Sequence, residues 1–209
     1  MSAATVSPPK LSPRKPVTFA RDACWPRFTT DQYDQMTRSG VLGPDDKMEL
    51  LDNYVVLKMA KNEPHEGSID LVREALTPVK PAGWMLRCQQ VLAMPFNRPE
   101  PDFSLVRGNA RAFAGRHPTA ADAGLVVEVA DSSRDIDLID KAAIYAGGRV
   151  GCYWVVSIPD RFVVVHSDPT GPVESATYAT ITRYAAGEQV PLVLDGVAVA
   201  HIPAADLLP

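Results

Sequence analysis

Residues 124–154 constrain the chain more than any other stretch. Gly124-Leu125-Val126-Val127-Glu128-Val129-Ala130 is an apolar run holding a single carboxylate. A helical pattern follows from about Arg134 to Ala146, and a second apolar run, Cys152-Tyr153-Trp154-Val155-Val156, closes the unit. Strand, helix and strand with short joints predict a right-handed βαβ crossover with parallel strands. Such strands are covered on both faces, so they are apolar along their length. Glu128 breaks that rule. A carboxylate buried in a strand is costly unless it is paired or holds a metal, which makes Glu128 the first pointer to function. The structural alternative is an ion pair with a buried arginine or with Lys141.

The flanking segments predict an α/β fold, a mixed central sheet flanked by helices with a hairpin near each end. Thr29 or Thr30 caps a short helix over Asp31–Ser39 that Gly40 ends. Lys47–Leu51 and Tyr54–Met59 form an N-terminal hairpin around Asp52-Asn53, two residues that tolerate positive φ. Glu66–Thr77 carries Ile69, Val72 and Leu76 on one helical face, and Pro78 and Pro81 stop it. Trp84–Met94 is expected as one long strand and Asp102–Val106 as a short one, with a loop over 107–122. Strands follow over Arg161–His166 and Thr177–Arg183, and Val190–Val199 forms a C-terminal hairpin turning at Asp195-Gly196. Residues 1–27, rich in proline, serine and basic residues, are expected as a flexible arm ahead of one domain over 28–209.

Composition narrows the partners. A net charge of −4 does not announce a protein that grips duplexes by charge alone, because such proteins are usually basic. Any nucleic acid must therefore be met by a local patch. No apolar stretch approaches a membrane span, and no signal-peptide core is present. Cys24, Cys88 and Cys152 are odd in number and scattered, which suits a reducing cytoplasm with at least two of them in the core.

Asp102 stands at the start of a short strand, directly after Pro101. If that strand neighbours the one holding Glu128, the two carboxylates converge. Hard oxygen ligands of this kind suit Mg²⁺ or Mn²⁺, which complete their shell with water and phosphate oxygens. A regular helix from Arg134 places Ile136, Ile139, Ala143 and Ala146 in the core, with Lys141 at the edge of the apolar face. There its stem can lie along the sheet and bring the ammonium to the strand ends. The plain alternative for Lys141 is an exposed pair with Asp137, four residues earlier.

Together these residues resemble the PD-(D/E)XK nuclease superfamily, and more closely the Uma-two type of bacterial restriction endonuclease-like proteins. The matching pieces are Glu49-Leu50-Leu51-Asp52, His65, Pro99-Glu100-Pro101-Asp102, Leu125-Val126-Val127-Glu128-Val129, Ser132-Ser133, Asp137 with Lys141, Tyr145-Ala146 and Tyr153-Trp154-Val155-Val156. They span roughly residues 28–208. In the wider superfamily the lysine stands two residues after the acid, where this chain has Ala130; the closer family moves it to the helix, where Lys141 stands. Asn53 occupies a turn position where the family usually has glycine. The resemblance implies a restriction endonuclease-like core and metal-dependent hydrolysis of phosphodiester bonds, on DNA. Asp102 and Glu128 are then metal ligands, and Lys141 orients water or neutralises the developing phosphorane.

Around that centre, Glu49 is either a further acid of the site or a solvent-facing strand residue. His65 is either a phosphate contact or proton shuttle, or a helix-start packing residue. Gln89 or Gln90 is either a hydrogen-bond partner of the metal's water shell or, the favoured reading, an ordinary strand residue. Arg107, Arg111 and Arg116 lie between the two acids in sequence, which suggests phosphate contacts near the site or, more simply, a solvated loop. Zinc spacing, a nucleophile elbow and a phosphate loop are absent. A twofold homodimer is expected for an enzyme that cuts both strands of a duplex. The alternatives are a catalytically inactive module that binds nucleic acid or a protein on the same scaffold, and a metal-dependent phosphatase acting on a small ester.

Overall fold

The computed structural model describes residues 26–58, 62–131, 136–173 and 175–209. The N-terminal arm expected over 1–27 lies almost wholly outside them. The first element is α1 (Thr30–Arg38), opened by a capping box in which Thr29 and Gln32 bond each other's backbone N–H. A hairpin of β1 (Met48–Leu51) and β2 (Tyr54–Leu57) follows. Its turn residues Asp52 and Asn53 sit at φ of 48° and 68°, the paired left-handed geometry of a tight hairpin turn. Helix α2 (Glu63–Val79) begins a turn earlier than its apolar stripe, because the Asn62 side chain caps it through His65 N–H and Pro64 fits the first turn. Pro78 is accommodated in the last turn instead of ending the helix before it.

The main sheet holds β3 (Trp84–Cys88), β4 (Phe103–Arg107), β5 (Ala123–Ala130), β6 (Cys152–Ser157), β7 (Phe162–Pro169) and β8 (Tyr178–Ala185), in that spatial order. Only the β5–β6 pair is parallel, with Glu128 opposite Val155, as the crossover requires. The remaining neighbours are antiparallel. β9 (Gln189–Leu194) and β10 (Val197–Pro203) make the closing hairpin, turning at Asp195-Gly196. No helix among the described residues is long and apolar enough to cross a membrane.

Two expectations are corrected. The strand predicted over Trp84–Met94 ends at Cys88, because Gln89 adopts φ 51° and leaves the extended region. The crossover helix is not a regular α-helix. Residues Ile136–Lys141 wind as a π-helix and only Ala142–Gly147 (α3) is α-helical; the predicted start at Arg134 lies outside the described residues. In a π-turn the hydrogen bonds run from i to i+5, so each turn takes up an extra residue and the inward face shifts. Ile139 is 66% exposed and Ala143 is exposed, whereas Asp137, Lys141 and Tyr145 are buried.

Apolar clusters cover both faces of the sheet. On one, Leu125, Val127 and Val129 of β5 meet Ile69, Val72 and Leu76 of α2 and Val190, Leu192 and Leu194 of β9. On the other, Val126 and Ala130 of β5 meet Ile144, Tyr145 and Ala146 of α3. Residues two apart on a strand share a face, so Glu128 belongs to the α3 side. Cys152 is buried and Cys88 is half-buried against the core.

Candidate active site

The antiparallel register of β4 and β5 pairs Phe103 with Val127. That sets Asp102, one residue before β4, beside the end of β5. Asp102 N–H points at Glu128 Oε2 (3.4 Å), and Val129 N–H donates to Asp102 Oδ2 (2.9 Å). Two acids 26 residues apart in sequence are thereby joined through the backbone. Both line one cavity of ≈ 470 Å³, together with Glu49, His65, Asp137 and Lys141.

Lys141 Nζ lies 3.1 Å from Glu128 Oε1, 3.4 Å from Glu49 Oε1 and 3.6 Å from Asp137 Oδ1. The exposed Asp137 pair considered for Lys141 is therefore corrected: the lysine is 8% exposed and Asp137 is one of three acids around it. The π-helical winding turns both inward, and Tyr153 supports the segment by donating its hydroxyl to the Asp137 carbonyl (2.8 Å). Glu49, read from sequence as either a site acid or a surface residue, is 4% exposed. Its Oε2 accepts from Glu100 N–H. His65 sits in the first turn of α2 with Nε2 3.4 Å from Asp102 Oδ2. Its Nδ1 is buried without a hydrogen-bond partner among the described residues.

Gln89, not Gln90, reaches the site, donating to Asp102 Oδ1 (3.2 Å). The left-handed conformation that ends β3 is what carries it there. None of Arg107, Arg111 and Arg116 lines that cavity. Asp102 precedes β4 and Arg107 ends it, and five strand residues span roughly 16 Å. Arg107 is instead paired with Asp195, and Arg116 with Asp122.

Tyr145 is the residue whose part in the site sequence reasoning missed. Its hydroxyl donates to Glu128 Oε1 (2.8 Å) and is fully buried. Its spacing from Lys141 held the signal, since residues four apart on a helix share a face.

Among the described residues, Glu49, Glu128 and Asp137 lie around the Lys141 ammonium and Asp102 lies against His65. Burial, reinforced by Asp102, Asp137 and Glu49, pushes the Glu128 carboxyl up to about 8 despite the pull of Lys141. Burial also works against the charged form of Lys141, but Glu128, Glu49 and Asp137 outweigh it and hold its pKa above the ordinary lysine value. At Asp102 burial opposes ionisation, yet the contacts from His65, Val129 N–H and Gln89 win and keep the carboxyl below its usual range. Burial and the adjacent Glu128 keep the Tyr145 phenol protonated. A buried excess of negative charge is stable when a cation shares it.

The donor set fits a hydrated divalent ion. Among the described residues no group of three or more His, Cys, Asp or Glu side chains forms a ready-made metal cage. Mg²⁺ does not need one, since it binds through one or two carboxylates and keeps several waters. Glu128 Oε2 accepts from Asp102 N–H at 3.4 Å and Asp102 Oδ1 from Gln89 at 3.2 Å, and a carboxylate oxygen has room for more.

A mixed sheet with one parallel pair, an acid at the end of each of two neighbouring strands and a helix-borne lysine define a restriction endonuclease-like nuclease fold. Residues 30–200 match the Uma2 family, described as "Putative restriction endonuclease", and the chain belongs to that family. No curated protein matches the sequence. Among solved structures, the chain is similar to one described as "a putative nuclease belonging to DUF820" from Anabaena variabilis ATCC 29413. The TM-score is 0.60 at 12% identity, covering 86% of this chain and 97% of that one. At that identity the likeness speaks for the fold alone.

Proposed function

We propose that this protein is a Mg²⁺- or Mn²⁺-dependent endonuclease that hydrolyses phosphodiester bonds of double-stranded DNA, acting as a homodimer. The observation that carries this reading is the meeting of Asp102, Glu128 and Lys141 on one cavity, with Lys141 Nζ 3.1 Å from Glu128 Oε1. Membership of a restriction endonuclease-like family supports it.

In this reading Asp102 and Glu128 hold the ion. When bound, the ion supplies charge neutralisation at the phosphate and a more acidic water. Val129 N–H and Gln89 fix the Asp102 carboxylate, and Tyr145 fixes that of Glu128. Lys141, steadied by Glu49 and Asp137, orients the attacking water and offsets charge on the phosphoryl oxygens as they gain it. His65, against Asp102, contacts the phosphate or relays a proton. The twofold assembly matches the symmetry of a duplex with two strands to cut.

One observation favours the non-catalytic alternative: Glu128 is 3% exposed and engaged by both Lys141 and Tyr145. Cleavage of plasmid and oligonucleotide DNA with Mg²⁺ or Mn²⁺ separates the readings, comparing the natural protein with Asp102→Ala and Lys141→Ala. The expected result is metal-dependent nicking that each substitution lowers at least a hundredfold, the scale of losing a group that stabilises transition-state charge. Activity that survives both substitutions would overturn the assignment. Binding without cleavage would favour the inactive module.

A further inference from the structure

One aromatic ring beside the cavity is displayed in a conformation its own chemistry opposes. Phe96 is 66% exposed and has φ 65°. It occupies the third position of the Met94–Asn97 turn, which is closed by reciprocal backbone bonds between Met94 and Asn97 (3.1 and 3.2 Å). Proline followed by a positive-φ residue is the type II pattern, and glycine is usual where Phe96 stands. A bulky side chain there is a backbone outlier, held only because its surroundings fix it.

Those surroundings are rigid. Asn53 N–H donates to Phe96 O (3.1 Å), Asp52 N–H to Asn97 Oδ1 (2.7 Å), and Asn97 Nδ2 to Pro95 O (2.9 Å). The turn is thus clamped onto the β1–β2 turn. The same turn anchors an exposed cation: Phe28 N–H donates to Asn53 O (2.7 Å), and Arg27 lies over the Tyr54 ring (5.1 Å) with Nε donating to its hydroxyl (3.0 Å). Among the described residues Arg27 has no carboxylate partner.

Phe96 and the exposed Val173 line a second cavity of ≈ 510 Å³, a volume in the range of small-ligand sites. It shares Asp52, Ala143 and Ile144 with the cavity that holds Asp102, Glu128 and Lys141. Tyr54, under Arg27, lines that first cavity. An aromatic face and an exposed guanidinium held against Tyr54 therefore lie beside an acid-lined site. A lone rigid ring with a cation suits a base and its phosphate better than it suits a broad protein contact, which needs a larger apolar patch.

We propose that Phe96 is a stacking platform for a base unstacked from the strand being cut, with Arg27 binding a phosphate of the same strand. The proposal rests on the nuclease reading and adds how the strand is held. Ring stacking is tolerant of base identity, so the platform positions the strand without reading its sequence.

The test uses the full chain with Asp102→Ala to prevent cleavage, binding short single-stranded and duplex oligonucleotides that carry the fluorescent base 2-aminopurine. Phe96→Ala is expected to weaken binding about tenfold and to abolish the change in 2-aminopurine emission, while Phe96→Trp retains both. Arg27→Ala is expected to flatten the salt dependence of binding by about one counterion. Phe96→Gly relieves the backbone and is expected to raise the melting temperature while lowering affinity, a split that a merely structural role would not produce. Unchanged affinity in Phe96→Ala, with the parent still bound, overturns this proposal and leaves the nuclease reading intact. If the parent binds no oligonucleotide even at low salt, both fall. If Phe96→Ala converts a dimer to a monomer in sedimentation, the ring is a subunit contact and the proposal fails.

Discussion

The two faces of the central sheet come from alternate residues of the same strands, yet they are built differently. Towards α2 the sheet presents Leu125, Val127 and Val129, then Trp154 and Val156, then Val163 and Val165, with no buried charge. Towards α3 the same three strands present Glu128, Tyr153 and His166, met by Lys141, Tyr145 and Tyr178. Burying the first face stabilises the fold through apolar area, at roughly 25 cal/mol per Å². Burying the second sets desolvation against pairing, which rarely yields net stability. The α2 face is stabilised by apolar burial, whereas the α3 face sets a buried charged cluster beside its apolar one.

Substitutions on the two faces should therefore behave differently. The largest effect is expected for Lys141→Ala, which leaves Glu49, Glu128 and Asp137 without their ammonium. Chemical denaturation of the metal-free protein should show a loss of about 3–5 kcal/mol, and activity should go with it. A loss below about 1 kcal/mol would mean that the acids already share protons in the native state. On the other face, Leu125→Ala is expected to cost about 3 kcal/mol by the same measurement while leaving metal-dependent cleavage per folded molecule intact. Losing both together would erase the distinction between the faces.

His166 offers a third test. It lies buried between Tyr153 and Tyr178, its Nε2 without a hydrogen-bond partner among the described residues, and burial lowers its pKa to about 4 from 6.5. Between those values the unfolded chain binds a proton that the folded chain refuses. Its contribution is thus complete above pH 6.5 and falls away as pH drops towards 4, by about 3 kcal/mol. Melting curves across that window should show a step that His166→Leu removes. Tyr145→Phe is expected to cost about 1 kcal/mol, the scale of a buried hydrogen bond, and to lower cleavage without abolishing it. The smallest effect belongs to the exposed Arg107–Asp195 pair. Arg107→Ala should change stability by less than about 1 kcal/mol and cleavage hardly at all.

Much of this architecture is legible in the chain. The apolar runs around Glu128 and Trp154 predicted a parallel pair, and the Asp52-Asn53 turn predicted its hairpin. The order Asp102, Glu128, Lys141 pointed to residues that the fold does bring together. What stayed hidden has physical reasons. A period of 100° per residue cannot report π-helical winding, so it places Ile139 inward and Lys141 at an edge. Gln89 takes a left-handed conformation without a glycine to announce it, so the apolar pattern runs on past the true end of β3. The arginines of 107–122 sit between the two acids in sequence, but β4 carries Arg107 to the end of the sheet away from Asp102. Tyr145 stands among the pieces that carry the resemblance, but its partner Glu128 is 17 residues away and no spacing pairs the two.

The π-helical turn also means that the crossover must keep count. Most single substitutions on its solvent side, at Ile139 for instance, leave the winding alone. Loss of one residue from this stretch would let the coil return to 3.6 per turn with its flanks in phase, because a π-turn takes up one residue more than an α-turn. Asp137 and Lys141 would then stand three apart and still share a face. Gain of a residue has no such outlet and would turn one flank by roughly 100°, so the crossover should tolerate a deletion at Ile139 better than an insertion there.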